Sequence, residues 1–234
     1  MAPAIADVRV LTFDMFGTVL DLTGTLLPGL RRFLARIGSQ VDARRFWDDW
    51  RARQRLQQHQ DTILMLGHDG YLDSAGRALV HTLRRHRVPH GNDDVVEMMA
   101  LFADLRAFDD ARDGLARLGQ HYRLVALSNG NARLVERLAG RIPDVEFHAC
   151  LSADRVGRFK PHPSVYRMAA LELDCEPGEM MMVASHAFDI LGARACGYRG
   201  AYVNRYRLPY EVSPLLPDLE VSDFNELAGQ LVPG

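Results

Sequence analysis

The stretch "LTFDMFGTVLD", residues 11 to 21, places a single carboxylate, Asp14, at the end of an apolar run. A carboxylate is a weak nucleophile in water, but partial desolvation and a fixed orientation increase its reactivity. Gly17 allows a tight turn after it, and the Thr18 hydroxyl can fix the loop or a substrate oxygen by hydrogen bonding. From this stretch alone, Asp14 is either a nucleophile or an aspartate that only caps a helix or turn.

Short apolar runs that end in a small or polar residue predict the strands that position Asp14. Continuous runs of this kind are typical of strands that are buried on both faces of a parallel sheet. The five runs are "VRVLTFD", "YRLVALSN", "VEFHACLS", "EMMMVAS" and "RGAYVNR". Helical stretches lie between them, which is the βαβ pattern with right-handed crossovers. Ligands bind beyond the carboxyl ends of such strands, where Asp14, Ser128, Asn129 and Ser185 fall.

Residues 22–101 differ from the rest of the chain. They are rich in Arg, Gln and His, have helical periodicity and contain no convincing strand. We interpret them as an all-helical insertion after the first strand that covers the active edge of the sheet. The predicted domains are therefore 1–21 with 102–234, and 22–101. The tail from Arg207 is predicted to be a loop that leads to the short helix "SDFNELAGQL", and no chemistry is assigned to it.

Four motifs occur in a fixed order: "FDMFGT", "LSNG", "FKPHPSVY" and "ASHAFD". With them the chain resembles the haloacid dehalogenase superfamily over nearly its whole length, and within it the L-2-haloacid dehalogenases. The resemblance implies an α/β fold, in which helices flank a Rossmann-like parallel sheet and a helical cap is inserted after the first strand. It also implies hydrolysis of short 2-haloacids through an aspartyl ester, with no cofactor and no metal.

The resemblance also assigns roles to the chemical groups of these motifs. Lys160 would keep Asp14 ionised and aim it, and Asp189 would position Lys160 or help to activate water. Arg51, which follows Trp50 as in the dehalogenase pattern, would bind a carboxylate or steady a leaving halide; a solvated arginine is the alternative. The candidate catalytic residues are Asp14, Thr18, Arg51, Lys160, His186 and Asp189.

The candidate substrate-binding residues are Phe16, Ser128, Asn129, Tyr166, Ser185 and Phe188. Phosphatases of the superfamily carry a second Asp where this chain has Phe16, and phosphoryl transfer relies on metal and positive charge. Phe16 is instead an apolar wall or a core residue. Ser128 and nearby backbone N–H groups would bind the substrate carboxylate, and Asn129 would contact the halide. Tyr166 is either a site residue or a buried helix aromatic.

Three positions depart from the dehalogenase pattern. Arg55 stands where the family usually has an apolar pocket residue, and Ala184 and His186 replace a Ser and an Asn. A neutral imidazole can act as a base near pH 7, whereas an amide cannot. His186 is therefore predicted either to share in water activation or to contact the substrate; the alternative is that it fills a polar slot.

Other functions remain open at this point. The same aspartate could open a strained cyclic amino acid such as azetidine-2-carboxylate. A Mg²⁺-dependent phosphatase is disfavoured by the missing second carboxylate. A domain that has lost catalysis is disfavoured because Asp14, Arg51, Lys160 and Asp189 occur together.

Composition limits the partners and the compartment. The formal net charge of −2 over 234 residues gives no basic field for nucleic acid or membrane surfaces, so a small anionic substrate would need local cations. No apolar stretch approaches a membrane span, and the first residues lack the pattern of a signal peptide. The three scattered cysteines favour reduced thiols and a cytoplasmic protein. The resemblance further suggests a homodimer.

Overall fold

The computed structural model describes residues 5–65 and 68–232. Residues 1–4 and 233–234 of the first predicted domain lie outside this described part, as do residues 66 and 67 of the predicted insertion. The chain forms two compact units, which are residues 1–20 with 107–234, and residues 21–106.

The first unit contains a six-stranded parallel sheet, with strand order β3-β2-β1-β4-β5-β6. The strands are β1 (Val10–Phe13), β2 (Arg123–Ser128), β3 (Ala149–Ser152), β4 (Met180–Ala184), β5 (Arg199–Val203) and β6 (Leu219–Val221). Every residue of β1 and β4 is buried, because helices cover both faces of the sheet. The predicted α/β fold with a parallel sheet is confirmed.

Two ends of the sheet differ from the sequence prediction. The run "VEFHACLS" forms a strand only over Ala149–Ser152, and β6 was not predicted at all. β6 is an edge strand of three residues, and only Val221 is buried in it. Such a strand produces no apolar run in the sequence, and the prediction of a loop is wrong for these three residues.

Five helices in the described part of the first unit connect and cover the strands. They are α5 (Ala111–Gly119), α6 (Ala132–Ala139), α7 (Pro163–Leu173), α8 (Ala187–Ala195) and α9 (Phe224–Leu231). Pro163 lies in the first turn of α7, where its missing N–H costs no hydrogen bond, and the preceding His162 accepts a hydrogen bond from Ser164 N. A short 3-10 helix, Ala153–Val156, leads from β3 towards α7.

The regular elements among the described residues of the second unit are all helices. It consists of α1 (Leu22–Arg36), α2 (Ala43–Leu64), α3 (Tyr71–Arg85), α4 (Asn92–Ala100) and the 3-10 helix Leu101–Asp104. That 3-10 helix packs against α1 and α4, so the unit extends past residue 101, where the sequence analysis had set its end. Within the described residues, no helix has both the length and the apolar character needed to cross a membrane.

Candidate active site

Asp14 lies directly after β1, at the carboxyl edge of the sheet. Its backbone N–H donates to the carbonyl of Val183 on β4 at 3.0 Å, which extends the strand pairing to the aspartate itself. Gly17 has φ +93°, a conformation that side chains beyond glycine rarely adopt, and its N–H bonds to Leu20 O at 2.9 Å. The strand end and this turn together hold a buried carboxylate at the edge where ligands bind.

The two oxygens of Asp14 have different partners. Lys160 Nζ lies 3.0 Å from Oδ1. Thr18 Oγ1 donates to Oδ2 at 2.8 Å, and His186 Nδ1 lies 3.3 Å from the same Oδ2. Because a carboxylate only accepts, the imidazole nitrogen is the donor in this contact. Thr18 Oγ1 in turn accepts from Ser185 N at 2.9 Å, which fixes the hydroxyl.

Lys160 is buried and all three of its ammonium donors are used. Besides Asp14 Oδ1, Nζ bonds Asp189 Oδ2 at 2.5 Å and Leu127 O at 2.7 Å. The backbone N–H of Lys160 donates to Asn129 Oδ1 at 2.7 Å, so the end of β2 also holds the lysine. A buried cation between two carboxylates is held as an ion rather than neutralised.

The charges of this cluster shift its protonation equilibria. Burial alone would raise the pKa of Asp14, but the charge of Lys160 and the hydrogen bonds from His186 and Thr18 hold it below the ordinary value. Burial opposes the charge of Lys160 as well, yet Asp14 and Asp189 raise its pKa. Asp14 is therefore an anion, and Lys160 a cation, throughout the neutral range.

Asp189 and Tyr166 form the support behind Lys160. Both side chains are fully buried, and Tyr166 OH donates to Asp189 Oδ1 at 2.7 Å. Burial raises the pKa of Tyr166 well above its ordinary value, and the Asp189 charge adds to the effect. Both oxygens of Asp189 are thus bound by protein groups.

The turn after β2 brings three predicted residues together. Ser128 Oγ accepts from Gly130 N at 3.0 Å. The Phe16 ring lies directly on Gly130, since a Cβ there would be 2.2 Å from Phe16 Cε2. Asn129 uses its Oδ1 on Lys160 N and makes no further side-chain hydrogen bond in the described part of the chain. Its amide NH₂ therefore remains as a donor for a ligand.

Ser185 and Phe188 lie at the end of β4 and the start of α8. Ser185 Oγ is buried and has no hydrogen-bond partner among the residues that the structure describes. Phe188 is half-buried and its ring centroid lies 5.5 Å from that of His186. An unpaired buried hydroxyl is costly unless a ligand or water completes it.

Arg51 belongs to the helical unit. Its guanidinium bonds Gln54 Oε1 and, at 3.2 Å, Tyr71 OH, and lies 5.7 Å from the centroid of the Trp47 ring. Trp50 is buried and donates Nε1–H to Ala75 O at 2.8 Å. Arg51 is thus held by neighbours rather than extended freely into solvent.

Two further residues, which the sequence did not predict, contact the Asp14 loop. Arg205 Nε donates to Thr18 O and Tyr206 OH donates to Gly17 O, each at 2.8 Å. Both follow the carboxyl end of β5. Their position beyond a strand end was the one signal in the sequence, and it was not used.

The carboxylate donors at this site are few. Among the described residues, no group of three or more His, Cys, Asp and Glu side chains is arranged to hold a metal ion. Asp14 and Asp189 share the ammonium of Lys160, which already provides positive charge between them.

Comparison with known proteins agrees with the geometry. Residues 8–197 match the family model for haloacid dehalogenase-like hydrolases. The chain belongs to this family. It is a hydrolase whose sheet and helical insertion follow the family's fold.

The individual relatives and solved structures that resemble this chain are named as dehalogenases. The chain is 30% identical over 215 residues to (S)-2-haloacid dehalogenase 4A of Burkholderia cepacia, with 90% of each chain covered. A crystal structure of a defluorinating L-2-haloacid dehalogenase is 28% identical with a TM-score of 0.83, and covers 97% of this chain and 96% of that one. A dehalogenase crystallised as an intermediate complex is 26% identical with a TM-score of 0.85, covering 97% and 99%.

Proposed function

We propose that this hydrolase converts short L-2-haloacids to 2-hydroxy acids and halide, through an ester on Asp14 and without a metal ion. The observation that carries the proposal is the ionised, buried Asp14, whose Oδ1 faces Lys160 at 3.0 Å. The relatives named as 2-haloacid dehalogenases support the same substrate class.

In the first step, one oxygen of Asp14 attacks C2 of the haloacid. The new C–O bond forms as the C–halogen bond breaks, and the halide leaves with the bonding electrons. Oδ2 already accepts two hydrogen bonds, from Thr18 and His186, whereas Oδ1 accepts only that of Lys160. Oδ1 therefore keeps a lone pair and is the attacking atom. Inversion at C2 follows from attack opposite the leaving halide.

In the second step, water attacks Cγ of the ester. Negative charge then develops on Oδ2, where the Thr18 hydroxyl and His186 Nδ1–H already donate. Donors placed in advance at a developing oxyanion supply a large share of catalysis. Collapse expels the hydroxy acid with Oδ1 in its hydroxyl group and leaves the water oxygen on Asp14.

The general base of the second step is assigned to His186. Its Nδ1 is engaged with Asp14, so Nε2 is the nitrogen that can accept the proton of water. Asp189 is less suited to this role, because it is fully buried and both its oxygens are bound. We assign Asp189 and Tyr166 the task of holding Lys160.

Substrate binding uses neutral donors and one cation of the insertion. Ser185 Oγ and the Asn129 amide are available donors for a carboxylate or a halide. Phe16 and Phe188 are the apolar walls of a site for a small acid. Arg51 is assigned to the carboxylate or the leaving halide, as arginine stays charged at any working pH.

The placement of charge at the site supports the proposed metal independence. Phosphoryl transfer gathers charge on equatorial oxygens and relies on a cation there, whereas a halide leaves as a stable anion. Here the ammonium of Lys160 serves Asp14 directly, and Phe16 replaces a carboxylate that could support a metal.

We also propose a cytoplasmic homodimer. The three cysteines are free thiols, as a reducing compartment requires. The second half of α2 exposes Leu56, Ile63 and Leu64, and Met65 directly after the helix is exposed as well. Such a patch suits an isologous interface. Light scattering of the purified protein would measure the mass in solution; a monomer at micromolar concentration would contradict this part.

The test is halide release from L- and D-2-chloropropionate, chloroacetate and fluoroacetate in the presence of EDTA. We expect release from the L enantiomer and from chloroacetate, and a loss of more than about 10³-fold in Asp14→Asn. The control variant is Asp218→Asn, since Asp218 pairs with Arg194 and Arg199 rather than with a residue of the site.

Two results would overturn the proposal. Release that depends on Mg²⁺ would contradict metal independence. No release from any of the four acids would reject the substrate class, and cyclic 2-amino acids and phosphate esters would then be assayed.

A further inference from the structure

Two consecutive side chains after β5 donate to two consecutive carbonyls of the Asp14 loop. Arg205 Nε bonds Thr18 O and Tyr206 OH bonds Gly17 O, both at 2.8 Å. In both pairs the partners are far apart along the chain, by 187 and 189 positions, so the contacts depend on the folded sheet. None of the roles assigned above uses either residue.

Arg205 is built into the protein rather than lying on its surface. Its side chain is 7% exposed, and its guanidinium forms a bidentate pair with Asp110, with both N–O distances 2.8 Å. The cation lies 4.1 Å from the ring centroid of Phe108 and 4.6 Å from that of Phe224. A guanidinium that is bound by a carboxylate and packs against two aromatic rings has little freedom to move.

Tyr206 contacts the same loop one residue earlier, at Gly17. Its ring centroid lies 6.1 Å from that of His186. A Cβ on Gly17 would be 2.9 Å from His186 Cε1 and 3.1 Å from Tyr206 OH, so the three residues are in close contact. Tyr206 thus touches both the turn after Asp14 and the imidazole that bonds Asp14 Oδ2.

We propose that Arg205 and Tyr206 are positioning residues, which fix the Asp14 loop and His186 so that the donors to Asp14 Oδ2 stay in place. The chain of contacts runs from Arg205 to the Thr18 carbonyl, and from the Thr18 hydroxyl to Asp14. The inference rests on the proposed function for its effect on rate, but its effect on the loop does not depend on any substrate.

The reason is geometric. Thr18 Oγ1 holds both Asp14 Oδ2 and Ser185 N, with distances of 2.8 and 2.9 Å. A shift of the Thr18 backbone moves this hydroxyl and therefore the carboxylate. Misplacement of a reacting group by about 1 Å can cost on the order of 10²-fold in rate.

The experiment compares Arg205→Met, Arg205→Lys and Tyr206→Phe with the control Arg199→Met. Arg199 is also a largely buried arginine that pairs with an aspartate, Asp218 at 2.7 Å, but it begins β5 at the opposite edge of the sheet. Denaturation curves check that each variant folds. Single-turnover halide release from L-2-chloropropionate and the KM are measured for each, and amide hydrogen exchange of residues 15–20 is followed without substrate.

We expect Arg205→Met to slow single-turnover release about 10- to 100-fold with KM changed less than about threefold. Tyr206→Phe should show a smaller loss, Arg205→Lys a partial recovery, and Arg199→Met a rate close to that of the wild type. Exchange of the loop amides should quicken in Arg205→Met and not in the control.

Loop exchange and rates in Arg205→Met that match those of Arg199→Met would overturn the inference. If the wild type itself releases no halide, the proposed function fails, and the exchange data alone then decide whether these residues hold the loop. A variant that lost stability alone, with the loop and the rate unchanged, would show a structural role and would also overturn it.

Discussion

The two oxygens of Asp14 differ in their hydrogen bonds, and this difference divides the proposed reaction between them. Oδ1 faces only the Lys160 ammonium, while Oδ2 takes hydrogen bonds from Thr18 and His186. A carboxylate oxygen with two donors is a poor nucleophile but a well-supported oxyanion. The same two donors therefore hinder attack through Oδ2 and assist the hydrolysis of the ester.

This division predicts which step depends on His186. In His186→Phe, which removes the donor and the base, hydrolysis of the ester should slow by about 10² or more, as for other losses of an oxyanion donor. Release of the first halide should change much less. The measurement is a stopped-flow burst of halide, with mass spectrometry to detect Asp14 carrying the ester-linked carboxyalkyl group.

The donor-retaining variant His186→Asn separates the two parts of that role. An amide can still bond Asp14 Oδ2 but cannot accept a proton from water. We expect His186→Asn to give a burst of halide and to hydrolyse the ester more slowly than the wild type but faster than His186→Phe. Equal slowing of both steps in His186→Phe, with no burst, would contradict the division.

At the scale of elements, two helices that pack against the sheet, α5 and α9, support the strand that ends at Asp14. α5 and α9 cross closely at Gly114, where a Cβ would lie 2.5 Å from Phe224 Cβ and 2.7 Å from the Phe224 backbone carbon. Phe224 also packs edge-to-face against Phe13, with ring centroids 5.8 Å apart. Phe13 is the residue directly before Asp14 in the chain. The helix pair therefore supports the end of β1 from behind.

The close crossing of α5 and α9 predicts that a single methyl group added at Gly114 destabilises the protein. Gly114→Ala should lower the free energy of unfolding by about 1–3 kcal/mol, because the backbone of α9 must move to relieve the overlap. Urea denaturation measures the change. Gly229→Ala is the matched control, since a Cβ there meets no atom within 4 Å. Equal stability of Gly114→Ala and Gly229→Ala would show that α5 and α9 accommodate the added methyl group without strain, and would contradict this prediction.

At the scale of the whole molecule, the largely buried ion pair of Asp110 and Arg205 links stability to pH. Burial would raise the pKa of Asp110, but the hydrogen bonds from Arg205 and from Phe224 N hold it below the ordinary value. A carboxyl group whose pKa is lower in the folded state stabilises the fold above its unfolded pKa, near 4. That contribution disappears as the pH falls through the folded value.

Asp110→Asn therefore should be less stable than the wild type at pH 6 to 7, and the difference should shrink as the pH falls below about 4. Denaturant midpoints of both proteins over this range measure it. A stability difference that does not change with pH would show that the loss is one of packing rather than of charge.

The sequence predicted most of the sheet because strands such as β1 and β4 are buried on both faces and appear as apolar runs. It missed β6, where only Val221 is buried. The motif residues Asp14, Lys160 and Asp189 meet in the structure as their order in the chain suggested.

For Arg205 and Tyr206, the sequence offers only their position after the apolar run of β5. No spacing or residue type in the sequence distinguishes Arg205 from the other arginines of the chain. Its role depends on Asp110, 95 positions away, and on a backbone carbonyl, which leaves no trace in residue types. The folded sheet had to be known before these contacts could be recognised.

The central claim is that Asp14 itself is alkylated and then hydrolysed at its carboxyl carbon. A single turnover of L-2-chloropropionate with excess enzyme in water enriched in ¹⁸O, followed by mass spectrometry of lactate and of the peptide that contains Asp14, tests it most directly. The account predicts unlabelled lactate and one ¹⁸O atom in Asp14. Label in the lactate with none in Asp14 would mean that water attacks C2 directly, and would contradict the account.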